Sequence, residues 1–138
     1  MLYQFRQKHL KNIIMSNNPE DPFVFKRTGK VVQNRSVLAA MTNKQSHDNG
    51  MISNDEIKWL AERAKGGFGI ITTAATNVSK EGKAWEGEFG VYSDSQIPKL
   101  KKLTSNIHST KSLIFAQLFH GGLKCPQKLT NKTPLGPS

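Results

Sequence analysis

The sequence predicts an α/β fold in which parallel strands alternate with helices. Three short apolar segments, 36–41, 68–73 and 113–118, have the nearly continuous pattern of strands that are buried on both faces. Two segments with helical periodicity, each about 10–15 residues long, separate them. Alternation of this kind indicates parallel strands that are connected by right-handed crossovers.

A β-hairpin is predicted ahead of the first parallel strand. The segments 23–26 and 30–33 are rich in apolar residues and flank a short turn that ends in Gly29. Glycine is favoured there because a hairpin turn requires a positive φ. The strand of residues 36–41 follows, and the polar segment 42–50 is predicted to be a loop.

The first helix has recognisable start and stop signals. Ser53 and Glu56 have the spacing of a capping box, in which the Ser53 hydroxyl accepts from the third backbone N–H of the helix. Glu56 reaches back to the backbone N–H of Ser53 in such a box. Gly66 and Gly67 predict the end of the helix. Its apolar residues recur at helical spacing and are Ile57, Leu60, Ala61 and Ala64.

The second helix is predicted to begin at Ser95. Pro98 favours this cap over Ser93, because proline is tolerated in the first turn of a helix. The segment before it, 74–92, is predicted to be a loop, and the segment 119–138 shows no periodicity. The residues expected to form the buried stripe of the helix are Leu100, Leu103 and Ile107.

Three parallel strands supply only part of a closed sheet. An eight-stranded α/β barrel takes about 250 residues, whereas this chain has 138. We therefore expect a sheet that has two open edges and covers little core.

The chain carries a formal net charge of +10, which is unevenly distributed. Residues 1–35 contain seven Lys or Arg against two acids, and residues 93–138 contain seven against one. One explanation is a non-catalytic basic module that binds nucleic acid or another polyanion. The other is that Lys99, Lys101 and Lys102 form the solvated side of a helix. The second is favoured, because no aromatic residues interleave with these lysines as single-strand binding requires, so no nucleic-acid partner is expected.

Residues 1–22 differ in composition from the rest of the chain. They combine apolar residues with Lys and Arg and contain no acid before Glu20. Such a basic extension is typical of a transit peptide, but a docking helix or sequence upstream of a start at Met15 explains it equally well. The domain itself is predicted to span residues 23–138.

Composition also bears on the cellular setting. No run approaches the roughly 20 apolar residues that a membrane-spanning helix needs, so no membrane association is expected. The single cysteine, Cys125, forms no internal disulfide and argues against a structural zinc site. A reducing, cytoplasmic location is therefore predicted.

Three segments are predicted to lie at the carboxyl ends of the parallel strands, where α/β folds bind their ligands. These segments are 39–42, 73–76 and 117–120. Their small residues allow a planar group to approach the backbone, and Thr42, Gln117 and His120 offer polar groups.

Several of these segments resemble the old yellow enzyme, or NADH:flavin oxidoreductase, family in order and spacing. They are Leu-Ala-Ala-Met-Thr-Asn at 38–43, Ala-Glu-Arg-Ala-Lys-Gly-Gly at 61–67 and Gln-Leu-Phe-His-Gly-Gly at 117–122. Members of that family are FMN-containing, NAD(P)H-dependent (β/α)8 TIM barrels. The resemblance covers about residues 23–138. It implies an amino-terminal β-hairpin plus the first three βα units of such a barrel, which is incomplete in this chain.

The resemblance also implies the position of FMN. Thr42 would approach the N5 and C4-carbonyl region of the flavin, where a hydroxyl donor stabilises the charge of the reduced form and raises its potential. Ala75 would make a backbone contact at the same edge. Gln117 would meet the pyrimidine part, whose alternating N–H and C=O groups match an amide. The full set of implied cofactor contacts is Ala39, Ala40, Met41, Thr42, Ala75 and Gln117.

The activity that the resemblance implies is hydride transfer from NAD(P)H to FMN and then to an electron-poor alkene or a similar small-molecule acceptor. In this family the residues that hold the substrate carbonyl, the tyrosine proton donor and the FMN phosphate site lie in later strands. No catalytic residue is therefore assigned, and the fragment alone is expected to be inactive.

Some positions depart from the family pattern. Many relatives have proline where this chain has Ala40, an aromatic near Lys44, and arginine where this chain has Leu123. These differences concern the substrate pocket more than the flavin contacts. His120 is expected to be a structural loop residue, and the resemblance leaves open a homo-oligomer of the full-length protein.

Overall fold

The computed structural model describes residues 18–137, which form a two-stranded hairpin and a three-stranded parallel sheet with helices on one side. Most of the basic extension expected for residues 1–22 lies outside the described residues. In chain order the elements are β1 (Phe23–Val24), β2 (Val31–Val32), β3 (Val37–Leu38), α1 (Asn54–Lys65), β4 (Ile70–Asn77), α2 (Ile97–His108), β5 (Leu113–Phe119) and α3 (Gln127–Thr130). Short 3₁₀ turns occupy Lys80–Gly82, Asp94–Gln96 and Gly122–Lys124.

The pairing of the strands confirms the predicted α/β fold. The strands β3, β4 and β5 lie side by side in that order and are parallel. α1 connects β3 to β4, and α2 connects β4 to β5. Among residues 18–137, no helix is long and apolar enough to cross a membrane.

The hairpin also forms as predicted. β1 and β2 pair antiparallel, and Gly29 has a φ of +66°. The Gly29 N–H donates to the Phe25 carbonyl at 2.8 Å, which closes the turn. The Phe25 ring in turn lies edge-on to Phe115 of β5, with 6.4 Å between the ring centroids. The hairpin therefore contacts the sheet face opposite the helices.

The core lies between that sheet and the two long helices. Its central residues, Leu60 of α1, Ile71 of β4 and Ile107 of α2, are fully buried. The predicted stripe of α2 is confirmed for Leu103 and Ile107, while Leu100 is half-buried against the same cluster. Lys101 and Lys102 of α2 are exposed, as predicted for the solvated side of this helix, whereas Lys99 is half-buried and donates to Asn54 Oδ1 at 2.9 Å.

The prediction that all three parallel strands are buried on both faces is wrong for two of them. Val37 of β3 is 53% exposed, and Phe115 and Leu118 of β5 are 47% and 65% exposed. The predicted strand of residues 36–41 also shortens to Val37–Leu38. Helices cover one face of the sheet and β4 alone has a strand on each side, so β3 and β5 remain open among the described residues.

The start of α1 differs from the predicted capping box in one contact. The Ser53 hydroxyl accepts from the Glu56 N–H at 3.0 Å, as expected. Glu56 does not reach back to Ser53, however, because its carboxylate accepts a hydrogen bond from the Ser46 hydroxyl. Ser46 Oγ accepts in turn from the Ser53 N–H at 3.1 Å. A residue of the preceding loop thus completes the cap.

The start of α2 also differs from the prediction. A 3₁₀ turn, Asp94–Gln96, leads into the helix, and its capping residue is Ser93, not Ser95, in a capping box with Gln96. α2 itself begins after Gln96, which makes no side-chain capping hydrogen bond to this helix. The Ser93 N–H donates to Gln96 Oε1 at 3.0 Å, and the Gln96 amide donates to the Gly50 carbonyl at 2.9 Å. Pro98 lies in the first turn of α2, as expected.

Two further segments differ from the predicted secondary structure. β4 extends to Asn77, so the predicted loop of residues 74–92 begins after that residue. The segment after β5, for which no regular structure was predicted, contains the short helix α3.

We expect Glu56 to give the protein a pH-dependent stability. Burial raises the pKa of the Glu56 carboxyl, and the hydrogen bond from the Ser46 hydroxyl counteracts the rise only in part. A raised pKa means that the folded state holds this proton more tightly than the unfolded state. The stability that Glu56 contributes is therefore complete below its unfolded pKa of about 4.5 and is lost as the pH rises through its higher folded pKa.

Urea unfolding of the protein and of Glu56→Gln at pH 4.5 and pH 7 measures this effect. The glutamine variant should gain stability relative to the unsubstituted protein as the pH rises, because it carries no proton to lose. Ser46→Ala removes a donor to the carboxylate and should make the pH dependence steeper. Parallel stability profiles for the Glu56→Gln variant and the unsubstituted protein would show that burial of Glu56 carries no ionisation cost.

Candidate functional site

The segments predicted to bind a ligand lie at one end of the parallel sheet. Leu38 pairs with Ile71, and Ile71 pairs with Ile114, so β3 lies beside the amino-terminal ends of β4 and β5. Residues 39–42 leave β3 in the direction in which β4 continues to Ala75. Ala75 pairs directly with Gln117. The structure therefore brings the three predicted segments together at the carboxyl ends of the strands.

The predicted site residues differ in their exposure. Ala75 is buried, and Ala40 is half-buried. The others are exposed, and they are Ala39, Met41, Thr42 and Gln117. The exposed side chains lie on the segment after β3 and on the carboxyl half of β5.

The sequence did not predict a β-bulge beside these residues. From Thr72 to Ala75 the strand β4 advances three residues, whereas the paired positions Phe115 and Gln117 of β5 are two apart. β4 therefore contains one extra residue at this point. The Gln117 N–H donates to the Thr73 hydroxyl at 3.1 Å. β-Bulges are frequent next to active sites, where they change the direction of a side chain.

The loop after β4 carries a buried charged cluster that sequence reasoning also missed. Lys83 is 5% exposed, and its Nζ donates to the Asp48 carbonyl at 2.7 Å. Glu88 is 2% exposed and accepts from the Ala84 N–H at 2.8 Å. Burial lowers the pKa of Lys83 and raises that of Glu88, so each side chain favours its neutral form more than it would in water.

A cavity of about 670 Å³ opens between the loops that follow the three parallel strands. Lys44 and Ser46 line it from the loop after β3, Trp85 from the loop after β4, and Lys128 from α3. The Trp85 ring contacts Phe119 at the end of β5, with 5.1 Å between the ring centroids. The cavity thus lies at the same end of the sheet as the predicted site residues.

His120 contacts neighbouring backbone in the loops after β4 and β5. Its Nδ1 accepts from the Gly122 N–H at 3.0 Å. The ring also lies against Gly82, where an added Cβ would overlap the imidazole Cδ2 at 2.5 Å. His120 therefore joins the loop after β5 to the loop after β4.

Comparison with known proteins gives a consistent result. The model of the NADH:flavin oxidoreductase / NADH oxidase family matches residues 21–138. The chain is 38% identical over 119 residues to the probable NADH-dependent flavin oxidoreductase YqiG of Bacillus subtilis, covering 86% of this chain and 32% of that protein. It is 30% identical over 94 residues to a probable flavin mononucleotide-dependent alkene reductase of Leishmania infantum, covering 68% and 25%.

Solved structures resemble the fold as well. The old yellow enzyme homologue from Zymomonas mobilis superposes with a TM-score of 0.79 at 30% identity, over 88% of this chain and 33% of that one. The old yellow enzyme from Trypanosoma cruzi superposes with a TM-score of 0.73 at 27% identity, over 87% and 31%. The chain therefore spans about a third of the length of these relatives.

Proposed function

Because this chain belongs to the NADH:flavin oxidoreductase / NADH oxidase family, we propose that it forms one edge of the FMN site of an NAD(P)H-dependent oxidoreductase. The observation that carries the proposal is the register of the sheet, which brings Ala75 and Gln117 together at its carboxyl end. Residues 39–42 leave β3 toward the same end. The resemblance assigns these same residues to FMN.

The residues at this end have the chemistry that a flavin ring needs. The exposed Gln117 side chain offers an amide donor and an acceptor, which match the N–H and C=O groups of the pyrimidine part. Ala39 and Ala40 carry no bulk that would keep a planar ring from the backbone. The Thr42 hydroxyl is exposed and free to donate to a carbonyl of the ring. We assign Met41 a backbone contact within the same segment.

Bound FMN would supply hydride transfer from NAD(P)H to a small-molecule acceptor such as an electron-poor alkene. The residues of this chain orient the ring and tune its electrostatics. We assign none of them a catalytic role, and we place the acceptor-binding and phosphate-binding groups in sequence outside this chain.

The domain of residues 23–138 is, in this proposal, a hairpin and three βα units of a (β/α)8 barrel. The exposed apolar face and edges of the sheet support it, because Val37 and Phe115 would be covered when a barrel closes. This part alone is expected to be inactive. By the complete protein we mean this chain together with any sequence that continues it in its gene. We place this protein in the cytoplasm.

Replacing Thr42 with alanine in the complete protein should lower the reduction potential of bound FMN by about 20 mV. A hydrogen bond from Thr42 to the flavin is stronger when the flavin carries the negative charge of reduction. The difference is about 1 kcal/mol, since bonds to charged groups contribute roughly 1.5–3 kcal/mol and neutral ones about 1 kcal/mol. For a two-electron couple about 30 mV corresponds to 1.4 kcal/mol.

A spectroscopic redox titration measures the potential, and Thr42→Ser is the matched control. Serine keeps the hydroxyl, so its potential should remain close to that of the unsubstituted protein. An unshifted potential in Thr42→Ala, accompanied by a lower melting temperature, would make Thr42 a structural residue of the loop.

A further inference from the structure

Side-chain hydrogen bonds hold the bulge in β4 at a point where a regular parallel pair would have backbone hydrogen bonds. In a regular parallel pair, the N–H of Gln117 would donate to a backbone carbonyl of β4. Here it donates to the Thr73 hydroxyl at 3.1 Å. The extra residue of the bulge lies between Thr72 and Ala75. The Thr73 hydroxyl therefore replaces a backbone acceptor beside the pair of Ala75 and Gln117.

A second threonine extends this contact into a short chain of hydrogen bonds. Thr73 Oγ1 and Thr76 Oγ1 are 3.0 Å apart, and Thr76 Oγ1 donates to the Ala74 carbonyl at 2.9 Å. Thr73 Oγ1 also lies 2.8 Å from the Ala74 carbonyl, so its one proton can be donated to Thr76 or directly to that carbonyl. In either arrangement the Thr73 hydroxyl accepts from the Gln117 N–H and donates one hydrogen bond. Chains of this kind strengthen their members cooperatively.

Both threonines are inaccessible to solvent. Thr73 is 2% exposed and Thr76 is 0% exposed. Water therefore cannot replace a hydroxyl that is removed, and the Gln117 N–H would lose its acceptor. Valine has nearly the same shape as threonine but cannot take part in the chain. The requirement at these two positions is thus for a hydroxyl and not for volume.

We propose that Thr73 and Thr76 are positioning residues that fix Gln117 at the flavin edge. This inference rests on the proposed function, because it concerns how the same site is held. The hydroxyls touch neither FMN nor substrate in this account. They act by holding the β4 bulge and the backbone of Gln117 in one arrangement, so that the Gln117 amide meets the ring at a fixed distance.

Thr73→Val in the complete protein should weaken FMN binding about tenfold, the effect of leaving one buried N–H without its partner. Thr73→Ser should restore the affinity. Thr110→Val is the matched control, since the Thr110 hydroxyl also donates to a backbone carbonyl, that of Ile107, but lies just before β5 at the opposite end of the sheet. It should leave FMN affinity unchanged.

A double-mutant cycle separates positioning from general stability. If Thr73 acts through Gln117, the double variant Thr73→Val/Gln117→Ala should bind FMN no more weakly than Gln117→Ala alone. Hydrogen exchange of the FMN-free protein gives a second measurement, in which the Gln117 amide should exchange faster in Thr73→Val. Should Thr73→Val fail to fold, Thr76→Val removes the second hydroxyl that contacts Thr73. It should weaken FMN binding by a smaller factor, because Thr73 keeps its own contact with the Ala74 carbonyl.

The outcomes distinguish this inference from the proposed function. If the unsubstituted protein does not bind FMN, the proposed function fails and this inference fails with it. If the unsubstituted protein binds FMN and Thr73→Val binds it equally well, only the inference is overturned. Additive effects of Thr73→Val and Gln117→Ala would also overturn it, because they would show that the two residues act separately.

Discussion

Ala75→Leu should weaken FMN binding by the complete protein about a hundredfold or more. Ala75 is 6% exposed and pairs with Gln117, so the structure has no free space for three additional carbons. The larger side chain must push β4 away from β5 or project toward the ring. Overpacking by added carbons costs roughly 1–3 kcal/mol, and about 2.8 kcal/mol corresponds to a hundredfold in affinity. Fluorescence titration with FMN measures the change.

Ala75→Gly is the control that separates bulk from chemistry. Glycine adds no volume at this position, so the Ala75→Gly variant should bind FMN nearly as well as the unsubstituted protein. Thermal unfolding of both variants reports the cost of overpacking, which is about 1–3 kcal/mol for added carbons in a packed site. Retention of full FMN affinity by Ala75→Leu would place Ala75 away from the flavin.

Gly87→Ala should destabilise the protein by about 3 kcal/mol. Gly87 has a φ of +70°, and an added Cβ would overlap the Lys44 carbonyl group, with its carbon at 2.6 Å. The backbone conformation alone costs an alanine about 1–2 kcal/mol. The overlap adds to this cost, because the obstructing atoms belong to the backbone and cannot rotate away. The Gly87 carbonyl also accepts from the Ser46 N–H at 3.0 Å, so the substitution disturbs the contact between two loops.

Gly29→Ala provides a matched comparison for Gly87→Ala. Gly29 has a nearly identical φ of +66°, but nothing lies within 4 Å of the added Cβ. Its substitution should therefore cost only the conformational part. Urea unfolding of both variants measures the difference, which is the contribution of the overlap with Lys44. Equal losses of stability would show that the two loops separate freely and that Gly87 does not fix their distance.

The features predicted correctly are those determined by residues close in sequence. The turn at Gly29 depends on a backbone conformation that glycine tolerates, and the Ser53 hydroxyl binds an N–H three residues away. The buried stripe of α2 follows from helical spacing. The parallel order of the strands follows from alternation with helices, because crossover connections have a fixed handedness.

The features missed depend on contacts between distant segments. Val37 and Phe115 are apolar, but their burial requires strands and helices that do not cover them among residues 18–137. Glu56 binds Ser46 of the preceding loop, ten residues away. Gln96 binds Gly50 across 46 residues and also forms the capping box with Ser93 ahead of α2. Sequence periodicity does not predict contacts of this kind between distant segments.

The candidate site was predictable only in part, because it combines strand ends with contacts between strands. The sequence places Thr42 and Gln117 at strand ends, but only the register shows that Gln117 pairs with Ala75. The bulge at Thr73 could not be foreseen, because a single extra residue appears only when two strands are aligned. β4 also contains Thr72 and Asn77, so its polar residues do not single out Thr73 and Thr76.

The central claim is that the carboxyl ends of β3, β4 and β5 form one edge of an FMN site. Titration of FMN into the complete protein, followed by quenching of flavin fluorescence, tests it most directly. The account predicts submicromolar affinity with one FMN per chain, weakened by Ala75→Leu and preserved in Ala75→Gly. Absence of quenching in the folded, unsubstituted protein, or identical affinities for all three proteins, would contradict it.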